Sequence, residues 1–195
     1  MRNLGPTHWL PFLFPAMWLA YIFYWRAMAA NVKSDERREG PSSRLQRFAL
    51  MILALVLLGF PDIRLSVLDH RFLPASMRWF WIGAVVTSSG LLFSVWARQY
   101  LGRNWSRAVT IKKDHELITG GPYSLVRHPI YTGLLAGLFG CALALGEWRG
   151  LVAVGLVFIA LLRKLRLEEQ WMREQFGEAY ENYSRQVRAL VPYVI

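Results

Sequence analysis

A chain of 195 residues and 22.5 kDa has room for one compact domain, and 54% hydrophobic residues with a mean hydropathy of +0.25 exceeds the apolar share of a soluble globule. A net charge of +10 would suit a nucleic-acid surface in magnitude but not in layout, because 18 of the 23 Lys and Arg gather in residues 26–47, 98–127 and 163–188. The single cysteine, Cys141, excludes an intramolecular disulfide and a cysteine-based metal cluster.

Taken in chain order, apolar runs recur at residues 9–24, 48–60, 79–97, 130–146 and 151–162. None carries the polar stripe that a soluble helix needs every third or fourth position. The pattern predicts an all-α integral membrane protein of about five transmembrane helices. Only the third run approaches the ~20 residues of a straight span, so the shorter ones must recruit flanking residues such as Leu45, Ile63, Arg163 and Leu165. The first run, rich in Trp and Tyr, reads as a span rather than as a leader cleaved at Ala27-Met28-Ala29. By the positive-inside rule the three basic segments are cytoplasmic, which puts the N-terminus outside and the C-terminal segment inside.

The connectors differ in character. Residues 31–43 read as a polar linker, and residues 61–78, with Asp62, Arg64, Asp69 and His70 among Leu and Val, as an interfacial segment. In the third, Trp105, Val109, Ile111, Leu117 and Ile118 alternate with Arg107, Lys112, Lys113, Asp114 and Glu116 before a turn at Gly120-Gly121-Pro122, so it should lie on the membrane surface. The helices are too few and too unlike one another for a transporter of inverted repeats. Residues 1–97 therefore read as scaffold and 98–195 as the functional half.

The fourth run opens with Arg127-His128-Pro129, where Pro129 suits a first helical turn and His128 its cap. Backbone N–H groups left over there are expected to face the cytosol, ready for an anion. Only Glu147-Trp148-Arg149-Gly150 separates the fourth and fifth runs, so they should form an antiparallel hairpin. That hairpin brings Arg127 and His128 level with Arg163, Lys164, Arg166, Glu168 and Glu169. Lys164 can pair with Glu168 four residues on, and Arg166 with Glu169 three on. Gly133, Gly137 and Gly140 line one side of the fourth helix, as close helix packing requires, and Phe176, Tyr180 and Tyr183 share a face of an amphipathic C-terminal helix.

Gly121-Pro122-Tyr123, Arg127-His128-Pro129-x-Tyr131-x-Gly133, Glu168-Glu169 and Phe176-Gly177-x-x-Tyr180-x-x-Tyr183, closing with Pro192, together resemble the isoprenylcysteine carboxyl methyltransferase family, with its short prokaryotic members, and the related membrane phospholipid methyltransferases. The resemblance spans about residues 120–192. It implies S-adenosylmethionine as methyl donor, held by Tyr123, Arg127, His128, Pro129, Tyr131 and Gly133 and by the segment after the fifth span, with a lipophilic or prenylated acceptor arriving from the bilayer.

The chemistry of the residues fits, since an activated methyl needs an aligned nucleophile and exclusion of water but no metal or covalent nucleophile. The donor's carboxylate suits helix-start N–H groups and Arg127. Its ammonium and sulfonium suit Glu168, Glu169, Tyr180 or Tyr183. An acceptor carboxylate is already ionised at neutral pH and needs an orienting cation, for which Arg163, Lys164 and Arg166 compete, Arg166 slightly favoured. An amine or thiol acceptor would instead need a base, Glu169 or His128. Other readings are an NADPH-dependent membrane reductase and a non-catalytic scaffold that binds membrane lipid.

Overall fold

A computed structural model describes residues 10–28, 35–38, 41–60, 65–102, 110–112 and 117–192. Among them are six helices: α1 (Leu10–Met28), α2 (Pro41–Gly59), α3 (Met77–Leu101), α4 (Pro129–Leu145), α5 (Trp148–Phe176) and α6 (Glu178–Gln186). The fold is helical as expected, but it also contains a short antiparallel ribbon, β1 (Asp35–Arg38) against β2 (Thr110–Lys112), with Arg37 opposite Ile111. Asp-Glu-Arg-Arg has little strand preference of its own. Its pairing is set by the partner loop, which is why the first connector reads as a plain linker from sequence. Asp62, Arg64, Trp105, Arg107, Val109, Lys113, Asp114 and Glu116 lie outside the described residues.

Residues 1–31 and 32–195 form separate compact units. In the first, α1 stacks Trp18, Tyr21 and Trp25 edge to face at helical spacing. In the second, α4 packs along α3, and α5 packs against α2 and α4. The α3–α4 seam consists of small residues. A Cβ on Gly133 would sit 2.4 Å from the Gly90 carbonyl oxygen, and one on Gly83 2.4 Å from that of Gly140. Thr87 Oγ1 donates across the seam to the Gly137 carbonyl at 3.0 Å. The small stripe on the fourth helix is therefore a packing surface, as the sequence suggests.

Burial is inverted relative to a soluble bundle. The buried positions of α3 are Gly83, Ala84, Thr87, Gly90, Leu91, Ser94, Ala97 and Arg98, whereas Trp81, Val85, Leu92 and Trp96 on the same helix are exposed, as are Leu55 on α2, Phe139 on α4 and Ile159 on α5. Large apolar groups outside and small groups inside is the arrangement a lipid solvent favours. Among the described residues, α3 is the one helix both long and apolar enough to cross a membrane, at 25 residues. Helix α4, at 17 residues, spans about 26 Å.

The α4–α5 turn is clamped at the far end of the bundle. Gly146 takes the left-handed conformation that ends α4, with φ +67°, and its carbonyl accepts from Phe72 and Leu73 N–H. Buried Arg149 reaches Glu147 at 2.5 Å and Asp69 at 3.8 Å. The second connector, which suggests no chemistry by composition, thus ties the hairpin down opposite the Arg127 end.

Candidate functional site

The hairpin returns α5 to the level where α4 begins, and two polar clusters about 40 residues apart in sequence become one. Arg127 donates from Nε and Nη2 to Glu169 Oε1 at 2.8 and 2.5 Å. His128 Nε2 lies 3.4 Å from the same oxygen, and Arg173 Nη2 is 3.3 Å from Oε2. Tyr131 Oη donates to Glu168 at 2.7 Å from both carboxylate oxygens. Lys164 Nζ is 3.6 Å from Glu168 Oε1 and 5.1 Å above the Tyr131 ring. The His128 and Tyr131 rings stack with centroids 5.5 Å apart and planes 4° from parallel. Their spacing of three residues on the first turn of α4 makes this stack possible.

Most of the cluster is enclosed. Glu169 is buried, and burial alone would raise its carboxyl, but hydrogen bonds from His128 and Arg127 and the charge of Arg127 prevail and hold it down at about 2. Beneath it lie the buried rings of Tyr123, Tyr180 and Tyr183. Tyr183 Oη donates to the Tyr123 carbonyl at 2.6 Å, and burial pushes its phenol up to about 12. Burial, reinforced by nearby carboxylates, raises Tyr123 and Tyr180 as well, so these phenols remain neutral. On α5 the Glu168 side chain is 22% exposed and that of Lys164 13%, and the more exposed Arg173, at 49%, covers Glu169 from the solvent side.

Several sequence expectations change at this level of detail. The N–H groups of residues 127, 128, 131 and 132, expected to be free at the helix start, are taken: Arg127 N–H donates to Arg188 O at 2.8 Å and His128 N–H to Ala189 O at 2.9 Å. Pro129 has no N–H to offer, and Tyr131 and Thr132 N–H both return to His128 O. A strap formed by residues 187–190 therefore accepts the Arg127 and His128 N–H groups expected to bind an anion. Gly133 faces the α3 seam rather than the cluster, because it lies 500° of helical rotation from His128, on the far side of α4. Of the three competing cations, Lys164 reaches the carboxylates, Arg163 turns to Gln46 Oε1 at 3.1 Å, and Arg166 is exposed with no ion pair to Glu169. Glu169 spends both oxygens on Arg127, His128 and Arg173.

The strap is what sequence reasoning misses. Thr132 Oγ1 donates to Leu190 O at 2.7 Å, and Arg127 Nη1 donates to the carbonyls of Ser184 and Val187. Leu190, 1% exposed, packs with Leu165 and Ala189 among Tyr131, Leu135, Phe158 and Leu162. The available signal is a short apolar run, Ala189-Leu190-Val191, set just before Pro192 and after a polar helix. Replacing Leu190 with alanine should lower stability by ~2–5 kcal/mol, the range for a fully buried leucine. Thermal unfolding in detergent checks this, and an unchanged midpoint would mean the strap is not docked.

The sequence profile for phospholipid methyltransferase matches residues 79–179, from α3 into α6, which includes every residue of the carboxylate cluster. The chain belongs to the phospholipid methyltransferase family. Among relatives, it is 26% identical over 174 residues to protein-S-isoprenylcysteine O-methyltransferase of Schizosaccharomyces pombe, covering 88% of this chain and 67% of that one. It is 28% identical over 142 residues to protein-S-isoprenylcysteine O-methyltransferase B of Arabidopsis thaliana, covering 67% and 71%. A third relative, the nickel-cobalt-cadmium resistance protein NccN of Alcaligenes xylosoxydans xylosoxydans, is 32% identical over 115 residues, covering 57% and 52%. The solved structure of the eukaryotic intramembrane Ras methyltransferase ICMT shares the fold, with a TM-score of 0.51 at 18% identity over 98% of this chain and 70% of that one. The family resemblance carried by Arg127-His128-Pro129 and Glu168-Glu169 is thus the correct one, and the chain is a methyltransferase of this family.

Proposed function

We propose that this phospholipid methyltransferase family member transfers a methyl group from S-adenosylmethionine to the carboxylate of a lipophilic acceptor of the prenylated-cysteine kind. The observation that carries the reading is the meeting of Arg127, His128 and Tyr131 with Glu168 and Glu169 at one end of the α4–α5 hairpin. The donor set fits the cofactor: two adjacent carboxylates and two stacked rings suit a sulfonium and an ammonium, and Lys164 suits a carboxylate. S-adenosylmethionine, when bound, supplies a methyl already activated on a positive sulfur.

The chain's residues then have distinct tasks. Arg127 fixes Glu169, and His128 and Tyr131 present their ring faces beside the carboxylates. Lys164 takes the orienting role for which Arg166 is favoured on sequence alone. Tyr123, Tyr180 and Tyr183 brace this constellation from below instead of touching the cofactor, and Pro129 and Gly133 act through the helix start and the α3 seam. Because an acceptor carboxylate is ionised at neutral pH, alignment and exclusion of water carry the catalysis. We further propose five spans with the N-terminus outside and the cluster on the cytoplasmic side, where the cofactor is. The division of labour is a scaffold in residues 1–97 and a catalytic half in 98–195.

Detergent-purified protein given methyl-labelled S-adenosylmethionine and N-acetyl-S-farnesylcysteine should form an alkali-labile methyl ester, detected as volatile labelled methanol. His128→Ala should reduce both this signal and calorimetric binding of S-adenosylhomocysteine. Label stable to alkali would move the acceptor to an amine or thiol. Absence of S-adenosylhomocysteine binding alongside NADPH binding would replace the reading with a reductase.

A further inference from the structure

The methionyl end of S-adenosylmethionine carries an ammonium and a carboxylate on one carbon, so its site needs a cation as well as an anion. The donors expected for the carboxylate are engaged elsewhere. The Arg127 and His128 N–H groups go to Arg188 O and Ala189 O, and the Arg127 guanidinium is divided between Glu169 Oε1 and the carbonyls of Ser184 and Val187. Arg163 turns to Gln46, and Lys164 lies over the Tyr131 ring beside Glu168. Among the described residues, Arg173 is the cation that meets the cluster from solvent. Its side chain is 49% exposed, and its Nη2 lies 3.3 Å from Glu169 Oε2. The two residues are four apart on α5, so their contact follows from helical geometry.

The two oxygens of Glu169 are held unequally. Oε1 is bonded by Arg127, whose side chain is 11% exposed, with His128 3.4 Å away, whereas Oε2 faces the half-exposed Arg173. An ion pair with an exposed member is weak, because water competes for the guanidinium. Against the burial that would raise it, hydrogen bonds from His128 and Arg127 and the charge of Arg127 keep the Glu169 carboxyl ionised. The anion therefore persists when Arg173 leaves it. We infer that Arg173 binds the carboxylate of the cofactor's amino-acid end. Arg173 turns from Glu169 Oε2 to that carboxylate and leaves Oε2 to accept the ammonium, so one exposed ion pair becomes two. A planar fork of five N–H donors matches a carboxylate bidentately. Because Arg173 reaches the cluster from the solvent side, its swing needs no movement of the docked strap. The inference rests on the methyl-donor reading and adds to it a residue outside the motifs that carry the family resemblance.

Calorimetric titration of the detergent-purified full chain with S-adenosylhomocysteine and with its decarboxylated analogue, which keeps the ammonium, tests it. Wild type should bind S-adenosylhomocysteine about tenfold more tightly than the analogue, the scale of one charge-assisted pairing. Arg173→Gln should bind S-adenosylhomocysteine about tenfold more weakly than wild type and the analogue no more weakly, so that the preference disappears while the analogue reports an intact site. Arg173→Lys should recover part of the preference. Arg185→Gln removes the same charge from an exposed position on α6 and should keep all of it. A tenfold preference retained by Arg173→Gln, or lost equally in Arg185→Gln, would overturn the inference. Equal weakening of both ligands in Arg173→Gln would also overturn it, since the loss would not belong to the carboxylate. So would tighter binding of S-adenosylhomocysteine by that variant, which would make Arg173 only a competitor for Glu169. A cooperatively unfolding wild type that binds neither ligand would instead overturn the methyl-donor reading on which the inference rests.

Discussion

Replacing Glu169 with alanine should abolish S-adenosylhomocysteine binding and lower the stability of the chain by ~3 kcal/mol, the low end for a buried ion pair broken from one side. The carboxylate is 9% exposed and its Arg127 partner 11% exposed, so removal strands Nε and Nη2 of a guanidinium in a site with little water. The carbonyls of Ser184 and Val187 still accept from Nη1, which keeps the effect from exceeding that range. Glu169→Gln retains one acceptor oxygen and should fold, yet bind the cofactor analogue far more weakly, because the charge opposite Arg127 and His128 is gone. An alanine variant with wild-type unfolding and binding would remove Glu169 from the site.

The pH dependence follows from the same carboxylate. Its folded value of about 2 lies below the ordinary 4.5, so the stabilisation it gives is fully present above about pH 4.5 and is lost as pH falls toward 2. The stability gap between wild type and Glu169→Gln should therefore stay constant from neutral pH down to about 5 and narrow below it. A gap that widened on acidification would mean that the carboxyl is stabilised in its protonated form. Denaturant titrations of both proteins at several pH values distinguish the two.

The architecture was legible in the sequence where a single periodicity decides it. Charge-free runs mark the helices, the four-residue turn at Glu147–Gly150 forces the hairpin, and the hairpin alone brings Arg127 to Glu169. The i, i+4 pairing of Lys164 with Glu168 follows from helical geometry and is present. Arg166 could not be placed the same way, since its distance from Glu169 along the helix takes no account of Arg127 and His128 arriving from just before α4. Nor was the strap visible, because Arg188 and Ala189 act through backbone carbonyls, which carry no residue signature. The β1–β2 ribbon is hidden for the same reason.

The α3–α4 seam sets the second large effect. Gly133→Ala should destabilise the fold by more than ~3 kcal/mol, beyond the usual penalty for overpacking, and weaken the site with it. The added Cβ would stand 2.4 Å from Gly90 O, 2.7 Å from Ser94 N and 2.8 Å from Ser94 Cβ. Two of these three atoms belong to the backbone of a continuous helix and cannot swing aside, so α3 and α4 must separate along their length. Separation breaks the Thr87 bond to Gly137 and moves the turn that carries His128 and Tyr131, so binding of S-adenosylhomocysteine should fall although Gly133 touches none of the cluster. Gly155→Ala is the matched control: an added Cβ there meets nothing within 4 Å, and it should unfold like wild type or slightly later. Shaving the neighbour with Ser94→Gly separates the two possible causes. It removes the side-chain contact but leaves Gly90 O in place, so it should not restore Gly133→Ala. Full rescue would mean that a side chain, not the backbone-to-backbone approach, fixes the spacing of the helices on which the site is built.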